Sequence, residues 1–224
     1  MSTAATRRGH IGLYGKLPSK RDFVSLGLPR TIVEPWERWL QSGVAHARDA
    51  LGTEWEDAYL TAPIWNFWVG ERVLDHALQG AIVPSVDRVG RMFPLAVAYA
   101  FPKGESIEAP VVTVDAAWFR QVGAALMLCL EEDEIRIDDL LSRLEPPSGA
   151  VGASGDALTF AGEGHACAGA LLRDNAPYDH AQASARRSYW WTDGREGEGP
   201  CVHMSDGLPR PDFFAFMLTG DGHE

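Results

Sequence analysis

The feature that most constrains this chain is one strong helical stripe set among short runs of strand character, since those two periodicities share a core only when helices pack on a sheet. After Pro35, the residues Trp36, Trp39, Leu40, Gly43, Val44, Ala47 and Leu51 recur at helical spacing. Pro35 suits the first helical position, where its missing N–H has no intrahelical partner to lose. Strand-like runs lie on either side: His10 to Tyr14, the aromatic and branched stretch Tyr59 to Val69 edged at Pro63, Ala81 to Ser85, and Pro94 to Phe101. Trp65, Phe67 and Val69 share one face of such a strand. The runs from Tyr59 to Phe101 read as an antiparallel meander.

Further along, Asp115 is placed to cap a helix reaching about Leu130, with Trp118, Val122, Ala125, Leu126 and Cys129 as its apolar stripe. A second helix, Ile135 to Leu144, stops at Pro146-Pro147. Strand-like Ser188 to Thr192 and Cys201 to Met204 precede a final apolar segment, Phe213 to Leu218. The expected fold class is α+β: a mixed, mainly antiparallel sheet packed with helices. Residues 146–157 are small and Gly-rich and read as a flexible internal loop. The C-terminal remainder of the chain is too short for a thick core of its own, so a single domain over residues 1–224 is expected.

Composition narrows the function. The chain of 224 residues carries a net charge of −11, and its pI is about 5.1. Such a surface repels phosphate backbones, so nucleic acid and anionic membranes are poor partners, whereas a basic protein surface is not. Cys129, Cys167 and Cys201 form no CxxC pair, and three cannot all pair internally, which indicates a reducing compartment. Arg7 and Arg8 are followed by no apolar leader core, and no stretch approaches the roughly 18 apolar residues of a membrane span. A cytoplasmic location without membrane insertion is the expectation.

Catalytic templates match poorly. Gly12-Leu13-Tyr14-Gly15-Lys16 sits between a strand and a turn, but a phosphate-binding loop needs glycine at the position of His10 and a hydroxyl at that of Leu17. A turn that needs glycine dihedrals accounts for it better. Gly152-Ala153-Ser154-Gly155-Asp156 approaches a nucleophile elbow without the flanking strand and helix that motif requires. The histidines show no ligand spacing, and the acidic run Glu131 to Glu134 lacks the alternation and glycine of a calcium loop. Ser205-Asp206-Gly207-Leu208 is similar to a string in metal-dependent Ser/Thr phosphatases, yet no second segment supplies the carboxylates a two-metal site needs. No catalytic residue, metal or cofactor is expected.

Two segments are more particular. Gly12-Leu13-Tyr14-Gly15-Lys16-Leu17-Pro18-Ser19, continuing to Arg21-Asp22-Phe23-Val24, and Pro84-Ser85-Val86-Asp87-Arg88-Val89-Gly90-Arg91-Met92-Phe93-Pro94-Leu95 together resemble TagF, the accessory protein of bacterial type VI secretion. Leu28-Pro29-Arg30, Glu34-Pro35-Trp36, Ala58 to Pro63, Trp190-Trp191-Thr192 and Gly207-Leu208-Pro209 are similar to the same family. Lys20 departs from it, standing where a glycine precedes aspartate. The resemblance implies a cytoplasmic, non-enzymatic, post-translational negative regulator that binds a forkhead-associated scaffold protein or another type VI secretion component. A structural subunit of the secretion baseplate and a phosphatase-like enzyme are the alternatives.

The candidate partner-binding residues are Lys16, Arg21, Asp22, Asp87, Arg88, Arg91, Trp190 and Trp191. Asp87 with its two arginines can form either an internal ion-pair cluster or an exposed patch that a partner reads, and Lys16, Arg21 and Asp22 pose the same choice. Trp190 and Trp191 point to opposite faces of a strand, so one of them is an interface anchor unless a helix covers its face.

Overall fold

The computed structural model describes residues 9–148, 150–153, 167–195 and 199–220. In chain order the elements are β1 (His10–Gly15), β2 (Val24–Leu26), α1 (Arg30–Leu51), α2 (Trp55–Thr61), β3 (Trp65–Val69), α3 (Glu71–Leu74), β4 (Leu78–Val83), β5 (Leu95–Ala100) and β6 (Glu105–Ile107). They continue with α4 (Ala116–Glu131), α5 (Ile137–Ser142), β7 (Ala150–Ala153), α6 (Ala168–Asp174), α7 (Ala176–Ser184), β8 (Arg187–Thr192), β9 (Cys201–Asp206) and α8 (Phe213–Thr219). Seven strands form one sheet in the order β2-β1-β5-β4-β3-β8-β9, and every pairing in it is antiparallel. The α+β expectation holds, and the meander is β3-β4-β5. β8 pairs with β3 through Trp190 opposite Phe67, so the C-terminal segment completes the same sheet.

Helices cover both faces. On one, α1 and α8 bury Trp36, Trp39, Leu40, Phe213 and Phe214 against Trp65, Phe67 and Val69, the strand face the alternation predicts. On the other, α4 and α5 bury Trp118, Val122, Leu126 and Leu141 against Leu13, Ala81, Leu95 and Val97. The indoles of Trp39 and Trp65 reach the core because their N–H groups find acceptors: Trp39 donates to the Pro209 carbonyl at 2.8 Å and Trp65 to that of Met217 at 3.0 Å. Asp115 caps α4 as expected, accepting the Trp118 N–H at 3.0 Å. Among the described residues no helix is long and apolar enough to cross a membrane.

Three local expectations are corrected. α1 begins at Arg30 after Pro29, so Pro35 lies within the helix; burial of Ile32 ahead of it, together with Trp36, offsets the hydrogen bond that proline removes. Only Trp65–Val69 of the stretch from Tyr59 is strand. Tyr59 belongs to α2, where it lies four residues after Trp55 on one buried face with the rings 4.9 Å apart, and tertiary packing overrides strand propensity there. Finally, Ala150–Ala153, within the segment read as a loop, pair with β6, while residues 154–157 lie outside the described residues.

Candidate interaction site where two loops meet

The two sequence segments that stand out converge at one end of the sheet. β1 and β5 are neighbours, so the loop after β1 and the loop before β5 emerge side by side. Gly15 ends β1 at φ +140°, and a Cβ there would collide with the Pro94 carbonyl oxygen, so glycine serves close backbone approach rather than phosphate binding. Lys20 has no positive φ, so its place in the turn makes no demand for glycine.

From this turn Lys16 points inward. Its ammonium lies 2.8 Å from Asp87 Oδ2, with both side chains buried. The same oxygen accepts from Arg91 Nε at 2.7 Å, while Oδ1 accepts the backbone N–H groups of Val89 and Arg91 at 3.0 and 2.9 Å. Burial alone would raise the Asp87 carboxyl, but the Lys16 and Arg91 donors and the Val89 N–H outweigh it and hold the group well below the usual carboxylate range. Backbone bonds stitch the loops further: Ser85 Oγ donates to the Lys16 carbonyl at 2.8 Å, the Arg88 N–H to that of Lys20 at 3.0 Å, and the Arg91 guanidinium to that of Arg21. The Tyr59 hydroxyl donates to the Ser85 carbonyl and accepts its N–H, both at 3.1 Å.

The outer side of this cluster differs from its interior. Arg21, Asp22 and Arg88 are exposed, and Arg91 is half exposed at its side chain. Among the described residues the Arg21 and Arg88 side chains make no ion pair. Phe23 is 45% exposed, yet it is held by Tyr14 at 6.1 Å, by Phe93 at 4.8 Å edge-on, and by the Lys16 ammonium 5.1 Å from the ring centre. Val89 stands exposed at the tip of the neighbouring loop. Beside them Pro18, Ser19, Arg88, Asp133 and Glu134 line an open polar cleft.

The candidate residues therefore divide. Lys16 and Asp87 form the internal pair and Arg91 bridges to the rim, whereas Arg21, Asp22 and Arg88 face solvent. Trp190 is a core residue: it is fully buried among Trp36, Trp39 and Phe67, with its N–H on Ser188 Oγ at 3.0 Å, so it offers nothing to a partner. Trp191 points to the opposite face as expected, and α4 covers it there, with Phe119 edge-on at 4.7 Å. Sequence reasoning does not single out Phe23 or Val89, because a single apolar residue in a loop produces no periodic signal.

Where the catalytic leads fall on described residues, the structure gives them places in the fold. Ser205 shares a hydrogen bond with Ser188 at 3.1 Å, Gly207 turns the chain at φ +74°, and the Asp206 carboxylate is exposed, 3.7 Å from Arg187. Among the described residues no group of three His, Cys, Asp or Glu side chains could hold a metal ion. Ser154 of the elbow-like string lies outside the described residues.

Residues 12–146 match the type VI secretion system-associated TagF N-terminal domain, a span that contains both loops of the cluster. The crystal structure of PA0076 from Pseudomonas aeruginosa PAO1 is similar over 96% of each chain, at 33% sequence identity and a TM-score of 0.77. No curated protein matches. A match over more than half the chain, containing the two segments that pack together, places this protein in the TagF family of type VI secretion-associated proteins.

Proposed function

We propose that this chain is a cytoplasmic, non-enzymatic accessory protein that holds type VI secretion off after translation by binding a forkhead-associated scaffold protein of the apparatus. The observation that carries the proposal is the division of labour in the loop cluster. Its buried carboxylate, Asp87, is saturated by four donors, which leaves it no lone pair suited to proton transfer. Its exposed groups, by contrast, sit on a backbone fixed from beneath. That is the arrangement of a pre-ordered binding surface, which loses little conformational freedom on association.

The test has two parts. Purified protein titrated with the scaffold should bind, and overproduction should abolish secretion while deletion releases it. A baseplate subunit would instead be required for secretion, so loss of secretion on deletion would overturn the regulatory reading.

A further inference from the structure

We infer that Phe23 is the anchor of the docking surface, and that the segment it receives is an acidic stretch of protein with an apolar side chain at its centre. The inference rests on the proposed binding function and specifies the chemistry of the partner. Among the described residues Phe23 is the one exposed large aromatic side chain; the other exposed large hydrophobics are aliphatic or Met. Exposure of an aromatic ring is costly unless something covers it, and aromatic residues dominate binding hot spots. Tyr14, Phe93 and Lys16 already hold this ring, so little rotamer freedom has to be lost when a partner arrives.

Charge identifies the partner. The chain is strongly acidic overall, at −11, yet the two loops that meet beside the ring expose four cations, Lys20, Arg21, Arg88 and Arg91. Two bonds bring these four together: the Arg88 N–H on the Lys20 carbonyl, and the Arg91 guanidinium on the Arg21 carbonyl. Asp87 lies beneath and is consumed by Lys16 and Arg91, so Asp22 is the exposed carboxylate left in these two loops, while the Glu37 carboxylate of α1 faces the Tyr14 hydroxyl. Asp133 and Glu134 line the same cleft as Arg88 and limit the basic spot there. A local cationic rim around an apolar centre matches carboxylates around an apolar side chain. The acidic remainder of the surface disfavours a polyanion such as nucleic acid.

The experiment uses the full chain in cells producing the secretion apparatus. Phe23 is replaced by photoreactive p-benzoylphenylalanine, with Leu60, an exposed apolar residue on α2, replaced in the same way as control. The expected result is an adduct from position 23 and not from position 60, whose sequenced peptide carries several Asp or Glu beside an apolar residue. Adding Arg21→Glu with Arg88→Glu should lower the yield by about tenfold, as expected when rim charges are reversed. Both side chains are exposed, so unchanged thermal unfolding will show that the fold survives. Absence of the adduct, an adduct to a peptide without carboxylates, an adduct to nucleic acid, or a yield indifferent to charge reversal would each overturn the inference. An acidic adduct from a protein outside the secretion apparatus would support this surface and overturn the proposed function.

Discussion

Replacing Asp87 with asparagine changes almost no volume, so its cost measures the electrostatics that join the two loops. In the native protein Oδ2 receives Lys16 Nζ and Arg91 Nε, and Oδ1 receives two backbone N–H groups. An asparagine amide has one oxygen, so whichever way it turns, its NH₂ faces two donors. The Lys16 ammonium then stays buried with no counter-charge. Breaking a buried pair in this manner costs about 3–5 kcal/mol, which for a domain of this size lowers Tm by roughly 6–20 °C. Lys16→Met should cost less, about 1–3 kcal/mol, because the carboxylate keeps three donors. Arg91→Ala should cost about 1 kcal/mol, since that side chain is half exposed. The assay is urea unfolding of the three variants at neutral pH. An Asp87→Asn variant within about 1 kcal/mol of wild type, or an Arg91→Ala variant equally damaging, would refute this account of the cluster, because the expected order depends on burial.

Four further outcomes are expected from the same structure. Because the folded Asp87 carboxyl titrates below its unfolded value, its contribution is fully present above roughly pH 4 and is lost only as pH falls through the folded value; the wild-type advantage over Asp87→Asn should therefore be flat from neutrality to about pH 5 in pH-dependent unfolding. Trp190→Ala should cost about 3–5 kcal/mol by thermal unfolding, while Trp191→Ala, on a ring that α4 covers only in part, should cost less, about 2 kcal/mol. Gly43→Ala should destabilise by about 1–3 kcal/mol in the same assay, since its Cβ would lie 2.5 Å from Phe214 Cδ2 in the packed α1–α8 contact. Burial pushes the Cys129 thiol up to about 11, so a thiol reagent at about pH 8 should label exposed Cys167 in the folded protein and reach Cys129 only after unfolding.

Much of the fold was legible because its elements carry their own periodicity. The stripe from Trp36 to Leu51, the cap at Asp115 and the Trp65-Phe67-Val69 face all report local geometry, and all stand in the structure. Legibility failed where tertiary contacts decide. Tyr59 is β-prone in isolation but is helical because its ring packs on Trp55 and its hydroxyl holds Ser85. Small residues over Ala150–Ala153 read as loop, yet β6 supplies a strand partner. The site was half legible: residue types in the two segments marked them as unusual, but nothing local distinguishes Lys16, which turns inward to Asp87, from Arg21, which does not. That distinction depends on β1 and β5 being neighbours, a pairing of strands far apart in the chain. Likewise, alternation places Trp190 and Trp191 on opposite faces, and only the presence of α1, α8 and α4 on those faces covers both.

The proposed function places the protein's action on the outward side of the loop cluster, with the inward side serving to fix it. It is tested most directly by overproducing a Phe23→Ala, Arg21→Glu, Arg88→Glu variant in a secreting strain and measuring export of a secreted substrate beside the wild-type protein. The variant should fold, with Tm lowered only by the few degrees that loss of the half-buried Phe23 ring entails, accumulate to the same level and fail to block export. A folded variant that blocks export as fully as wild type would contradict it.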